Sequence, residues 1–557
     1  MERKWKKITA GVLTAVMAFG LSACGSPSVT SDSAASVTGG SESAEVSSAV
    51  ETGDDIINIA FTDTVGTLNP LNMNWNFINL YATSMEFLPL VQFNDAYDVD
   101  YLIAESITTD DNQTFTIKIR DDANWSDGEP ITADDVVWTM MKFTCPDVAN
   151  PNFDFTPFVG INEDGTSPEG AEDVEGIKAI DDKTVQLKVN DHMSLKTLYN
   201  NVLTWFCILP KHVLEDTPDD QLLTSSWFEK PDVISGPYFV DDYDFSHYVS
   251  YTANENYFLG APSIKKVNFR IVEGSEILAG LQSGEIDMVH PSSSIPTEDR
   301  STVEELEGFT ATYTDPITNE MTFFNTKKVT DARVRQAIVY AIDRQTIVDQ
   351  LLDGHGSVTD GFICEESPYY SDSKTKIEYD PDKAKELLEE AGWDGSQTLQ
   401  YYVSSSDSIA VKAAQLVQQY LAAVGVNIEV NTVDFDTLTG EIAGSDDEDF
   451  FSVQYTITPN DYWADEYSLI NDSTGSGNWA GGYYNEEIDQ LLAQTQETTD
   501  DDELKTIYNE IEEKVIEDTP VFPMYFLGNM GVVSDRIQGA TASFYGAFNN
   551  IQDWTLA

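Results

Sequence analysis

Apolar residues recur at extended and helical spacings in turn along the chain, from about residue 54 onward. Ile56-Ile-Asn-Ile-Ala-Phe61 is a short β-rich run. Thr132-Ala-Asp-Asp-Val-Val-Trp-Thr-Met-Met-Lys-Phe143 predicts a helix: Thr132 caps it, acids fill the first turn, and Val136, Val137, Met140 and Phe143 share one face. Asp331 predicts the cap of a second helix carrying Val334, Ile338, Ala341, Ile342 and Leu352. Asp380-Pro381 opens a third, which closes at Gly392 after Leu387, Leu388 and Ala391. Residues 399–403, 410–424 and 426–433 read extended, helical and extended, with Gly425 as the helix stop. That is a βαβ unit, hence a locally parallel sheet. Residues 485–495 and 501–517 predict two more helices, the second stopped by Pro520, and no internal repeat is evident.

The first residues change the picture of where this fold works. Arg3, Lys4, Lys6 and Lys7 precede an apolar run at 8–21, too short to span a membrane stably, and Leu21-Ser22-Ala23-Cys24 follows. Together they resemble a bacterial lipoprotein signal peptide ending in a lipobox, which implies removal of residues 1–23 and lipid attachment at Cys24. Residues 24–53 are dominated by Ser, Ala, Gly, Thr, Val and Glu with no aromatic residue, and read as a disordered tether. No second apolar stretch approaches the ~20 residues of a membrane span.

Length and charge narrow the function classes. The roughly 500 residues beyond the tether exceed one core and predict two or three domains. With 30 Lys and Arg against 96 Asp and Glu the formal charge is −66; removal of 1–23 takes four bases and one acid and leaves −69. Nucleic acid and anionic lipid surfaces are poor partners for such a chain. Apart from Cys24 the cysteines are Cys145, Cys207 and Cys364, an odd number that rules out a complete disulfide framework. Free thiols are expected, with a Cys145–Cys207 bridge as the alternative.

Several segments, taken in order, carry a resemblance. They are Thr67-Leu-Asn-Pro70, Leu102-Ile-Ala-Glu-Ser106, Phe115-Thr-Ile-Lys-Ile-Arg-Asp-Asp-Ala-Asn-Trp-Ser-Asp-Gly128, Ile131-Thr-Ala-Asp-Asp-Val-Val137, Ser235-Gly-Pro-Tyr238 and Asn256-Tyr257. After them come Gly284-Glu-Ile-Asp-Met288, Asp331-Ala-Arg-Val-Arg-Gln-Ala-Ile338, Ala341-Ile-Asp-Arg344, Tyr379-Asp-Pro381 through Glu390-Ala-Gly392, and Thr519-Pro-Val-Phe-Pro523. Over nearly the whole mature length the chain resembles the dipeptide/oligopeptide-type extracellular solute-binding proteins, family 5, the receptor subunits of ABC importers. Most of these motifs also have structural roles: Trp125-Ser-Asp-Gly128 as a turn before the capped helix, Arg333 and Arg335 lacing a helix into its domain.

The resemblance implies an α/β, periplasmic-binding-protein-like fold: two lobes joined by crossing strands and closing as a hinge, plus an additional β-rich domain. Lobe I would comprise 54–90, 233–325 and 525–557, the extra domain 91–232, and lobe II 326–524. It further implies a monomeric, lipid-anchored receptor outside the cytoplasm that captures short peptides for an ABC permease, with no cofactor. In peptide-binding members an aspartate of the second lobe holds the ligand ammonium, and Asp461 falls at that position, with Asp465 as the fallback. Tyr462, Trp463, Tyr467 and Trp479 supply aromatic wall, and Glu86 resembles a first-lobe position facing ligand. The positions that correspond to the family's carboxylate-binding cations are Tyr455 and Ile409, neither cationic. Lys412, roughly 300° round the helix from Ile409 at 100° per residue, is not expected to substitute. A longer peptide, or a non-peptide solute such as an oligosaccharide, metal chelate or haem, therefore stays open.

Rival classes are a secreted hydrolase and a surface adhesin. No Gly-x-Ser-x-Gly, His-Glu-x-x-His, Gly-x-Gly-x-x-Gly or Walker A motif occurs, and His192, His212, His247, His290 and His355 show no metal spacing. Asp95-Ala-Tyr-Asp-Val-Asp100 and Asn162-Glu-Asp-Gly165 read as solvated turns, without the spacing of a calcium loop.

Overall fold

The computed structural model describes residues 53, 55–73, 76–148, 153–372, 374–405, 407–459 and 479–557. Cys24, Asp461, Tyr462, Trp463, Asp465 and Tyr467 lie outside the described residues. Three main sheets organise the folded body. The first has seven strands, in the order Phe309–Tyr313, Met530–Ser534, Met288–Val289, Ile56–Phe61, Lys266–Ile271, Tyr248–Ala253 and Tyr238–Asp244. Ile56–Phe61 is central and buried at every position, with parallel neighbours on both edges, which is why its sequence is apolar rather than alternating.

The second sheet has six strands, Gly356–Ser357, Val521–Leu527, Thr318–Phe324, Phe450–Thr456, Thr398–Ser404 and Asn427–Val433. Its βαβ unit matches the expectation: Thr398–Ser404 and Asn427–Val433 pair in parallel around the helix Ser408–Val424. Gly425 ends that helix at φ 87°, a left-handed conformation that costs glycine little. A third, antiparallel sheet of four strands spans 104–188, and the helix Ala133–Phe143 packs on it. That helix starts with the reciprocal pair the sequence signalled, Thr132 and Asp135 each bonding the other's backbone N–H.

The chain leaves the first sheet for the second at 314–317 and returns at 528–529, so the second sheet is an insertion tied by two adjacent segments. They are bonded to each other: Thr314 N–H donates to Asn529 O (2.9 Å), and Asn529 N–H donates to Thr314 Oγ1 (3.0 Å). A Cβ on Gly528 would stand 2.5 Å from Thr314 O, so this crossing requires glycine. Two expected limits shift accordingly. Thr318–Phe324, placed in lobe I by a boundary at 325, and residues 525–527 are hydrogen-bonded in the second sheet.

The helix expected to run from Asp331 to Leu352 is two, Ala332–Ala341 and Arg344–Leu351. Asp343 breaks it by turning its side chain onto Thr346 N–H as a new cap. Arg335 donates to Asp518 O, Thr519 O and Val329 O, fastening the first of these helices to the strand entry at 520. Cys145, Cys207 and Cys364 form no disulfide, so the alternative bridge is not made. Among the described residues no helix is long and apolar enough to cross a membrane, and no three His, Cys, Asp or Glu side chains gather as metal ligands.

Candidate functional site

Beside the crossing segments a cleft of about 1020 Å³ opens between the two large sheets. One wall comes from the first sheet and its loops: Asp63, Asn76, Phe77, Ser292, Glu298 and Arg300. The other comes from the second: Glu320, Ser404, Asp407, Ile409, Lys412 and Gln454; Asn529 and Met530 lie where the crossing meets it. Its size is at the upper end of the ~300–1,000 Å³ usual for ligand pockets. A second hollow of about 600 Å³ is lined by Asp95, Tyr97, Tyr313 and Tyr545 with the strand edge at 310–315. The βαβ unit contributes nothing to it, so motion of that unit would not enclose a solute there.

The second wall is built by strand alternation. Glu320 stands opposite Gln454 and two residues from Thr322, whose hydroxyl meets Ser452 Oγ at 2.6 Å. Ser452 Oγ also meets Tyr401 OH at 2.7 Å. Asp407 caps Ser408–Val424, accepting from the Ile409 and Ala410 N–H groups (2.8 and 2.9 Å), and its other oxygen accepts from Gln454 Nε2 (2.9 Å). Glu320 is 2% exposed, and neither carboxyl oxygen has a hydrogen-bond partner among the described residues. Burial, and then the nearby Asp407, hold its carboxyl well above the usual range; burial likewise raises Asp407.

Ile409 and Lys412 line the same cleft. The expectation that Lys412 points elsewhere was an error of helix geometry, since 300° in one sense is 60° in the other and i, i+3 residues are neighbours on a helix. Lys412 is exposed and forms no ion pair among the described residues, so the cleft does carry a cation on the first turns of the helix that Asp407 caps.

Three of the expected site residues are described, and none lines the cleft. Glu86 is buried beneath the first sheet, where one carboxyl oxygen accepts from Val240 N–H (3.0 Å) and its backbone O from Ser235 and Gly236 N–H. It anchors the start of the strand Tyr238–Asp244. Trp479 stacks edge-on against Phe323 (5.3 Å) and Phe451 (5.7 Å). Tyr455 leaves its strand on the same side as Phe451 and Val453, opposite to Glu320 and Gln454. Glu320 and Asp407 were not foreseen. An acid within the apolar strand Thr318–Phe324, and a capping aspartate at the first turn of the βαβ helix, were the available signals.

The bacterial extracellular solute-binding proteins, family 5 Middle, match residues 98–479. The oligopeptide-binding protein AppA of Bacillus subtilis is 26% identical over 517 residues, covering 86% of this chain and 89% of AppA. Its structure in complex with a nonapeptide matches at TM-score 0.71 and 23% identity, over 90% of this chain and 99% of that one. The ABC transporter substrate-binding protein CtaP of Listeria monocytogenes matches at TM-score 0.75 and 26% identity, over 90% and 99%. The nickel-binding periplasmic protein of Escherichia coli is 25% identical over 394 residues, 68% of this chain and 71% of that protein. The chain belongs to the bacterial extracellular solute-binding proteins of family 5, receptors rather than enzymes, which work outside the cytoplasm.

Proposed function

We propose that this protein is the lipid-anchored receptor of an ABC importer, holding short peptides in the cleft between its two large sheets and delivering them to a permease. The carrying observation is a 1020 Å³ cleft whose walls belong to two sheets between which the described chain crosses at 314–317 and 528–529. Two bodies so joined can close on a solute by a hinge motion. The lobes divide at that crossing: lobe I from about 54–90, 233–313 and 530–557, lobe II from about 318–527, with 91–232 as the extra domain. Cys24 carries the lipid, and residues 25–53 hold the body off the membrane. Asp461 is proposed at the ligand ammonium and Tyr462 in the aromatic wall, with Lys412 available to a ligand carboxylate. Trp479, Tyr455 and Glu86 support the walls from behind. AppA, an oligopeptide-binding protein, favours the peptide reading.

A second reading keeps the receptor and changes the solute to a metal chelate, as the nickel-binding relative does. Native mass spectrometry of the protein extracted from its own cells, followed by calorimetry with synthetic peptides, decides. A set of peptide masses and saturable peptide binding are expected. Retention of one non-peptide mass, with no peptide binding, would overturn the peptide reading. Hydrolysis of the bound peptide would overturn the receptor.

A further inference from the structure

We propose that Glu320 and Asp407 form a subsite on the second wall of the cleft for an organic cation of the solute, the ammonium or guanidinium of a basic peptide side chain. The inference deepens the peptide reading and rests on it. Glu320 is the reason. A carboxyl group buried to 2% exposure with both oxygens unpartnered is the exception among buried polar groups, nearly all of which are hydrogen-bonded. Its neighbours do not relieve it. Gln454, directly opposite in the ladder, gives its amide to Asp407; Tyr401 is engaged with Ser452; and among the described residues neither Lys412 nor Arg300, on the same cleft, hydrogen-bonds its carboxyl. Arg300 donates to Ile295 O instead.

A purely structural role explains this poorly, because an apolar or amide side chain in the strand Thr318–Phe324 would avoid burying an acid at no loss of bonding. The position faces the cleft, and the second acid, Asp407, faces it too. Two carboxyls that no described protein cation pairs, although Lys412 and Arg300 line the same cleft, attract a positive ligand group and offer it charge-assisted hydrogen bonds in a setting sheltered from water. A neutral side chain in the same place leaves Glu320 unsatisfied. The subsite therefore discriminates by what happens to the acid as well as by contact.

The test uses the full-length protein with matched pentapeptides, Ala-Ala-Lys-Ala-Ala and the same peptide with norleucine for lysine, which removes the charge and keeps the chain length. Calorimetry on the wild type should show the lysine peptide bound at least tenfold more tightly. Glu320→Gln should bring the two within about twofold while leaving the norleucine peptide as tight or tighter. Asp407→Asn, which keeps a capping carbonyl for Ile409 and Ala410, should reduce the preference in part. Circular dichroism and urea unfolding should show Glu320→Gln folded and at least as stable as the wild type. Peptide binding without a lysine preference, or a preference that survives Glu320→Gln, overturns the subsite and leaves the receptor standing. An equal loss for both peptides also overturns it, since that marks a structural role or a grip on the terminal amine. No binding by either peptide overturns the peptide reading, and the subsite with it.

Discussion

Lys374→Met should destabilise the second lobe by about 3–5 kcal/mol near pH 8, the usual cost of removing one partner of a buried ion pair. Lys374 and Glu512 are both buried, their side chains 1% and 0% exposed, and Nζ lies 3.0 Å from Oε2. The other carboxyl oxygen accepts from Ile363 N–H at 2.9 Å, so the pair joins the helix Asp501–Asp518 to the segments around 363 and 374. Without Lys374 the carboxylate keeps one neutral donor. Burial already holds Glu512 above the usual carboxylate range, with Lys374 opposing the rise, and removing Lys374 raises it further. A carboxyl whose folded pKa is raised contributes stability that is fully present below its unfolded value of about 4.3 and is lost as pH rises through the folded value. The mutant's deficit is thus small near pH 4.5 and grows towards pH 8. Urea unfolding followed by tryptophan fluorescence should place its midpoint roughly 1 M below wild type at pH 8, from a slope of a few kcal/mol per molar. Lys374→Met combined with Glu512→Leu should recover most of the loss. A single mutant as stable as wild type at pH 8, or a deficit that does not vary with pH, would refute the reasoning.

Gly528→Ala should force the crossing segments apart, because its Cβ meets Thr314 O at 2.5 Å; a loss of about 1–3 kcal/mol and weakened ligand affinity are expected, measured by thermal unfolding and calorimetry. His290 sits among Phe61, Phe77, Tyr81 and Phe548, and burial lowers its pKa to about 3. Its folded pKa lies below the unfolded ~6.5, so it contributes stability present above pH 6.5 and lost as pH falls, by roughly 1.4 kcal/mol per pH unit. Imidazole NMR signals that leave His290 untitrated from pH 8 to 5 would agree, and a midpoint near 6.5 would not. Thr132→Ala removes the side-chain half of a capping box, leaving the bond from its backbone N–H to Asp135, and should cost about 1 kcal/mol, with Thr132→Ser recovering it.

Local chemistry was legible in the sequence, and long-range assembly much less so. Thr132, Asp380 and Gly425 announced their helix ends because a cap bonds backbone within three residues of itself. The break at Asp343 hid behind an unbroken apolar period, since Ala341 and Ile342 stay buried on both sides of the change in direction. The cleft had no local signature: its walls come from 63–77, 291–300, 404–412 and 452–456, which only the sheet order brings together. Glu320 is one acid among 96, and composition cannot mark which of them are buried. The aromatic residues at 455 and 479 were plausible walls by type. Strand alternation and Phe323 turned them to the other side of the sheet.

Placing an unpartnered acid beside a hinge has a consequence for closure itself. Glu320 belongs to the first strand after the crossing at 314–317 and is already buried, so movement of the second sheet towards the first changes what faces it more than how exposed it is. In the empty cleft its unsatisfied carboxyl costs the same before and after closure, and by itself favours neither. A solute lacking a cation leaves the same deficit in place, whereas one with a cation relieves it only where Glu320 and the facing wall are both within reach. A ligand shifts a two-state equilibrium by its difference in affinity for the two states and by nothing else. On the assigned subsite, a cation that meets Glu320 and the facing wall together binds the closed state better than the open one, and recognition and closure draw on one interaction.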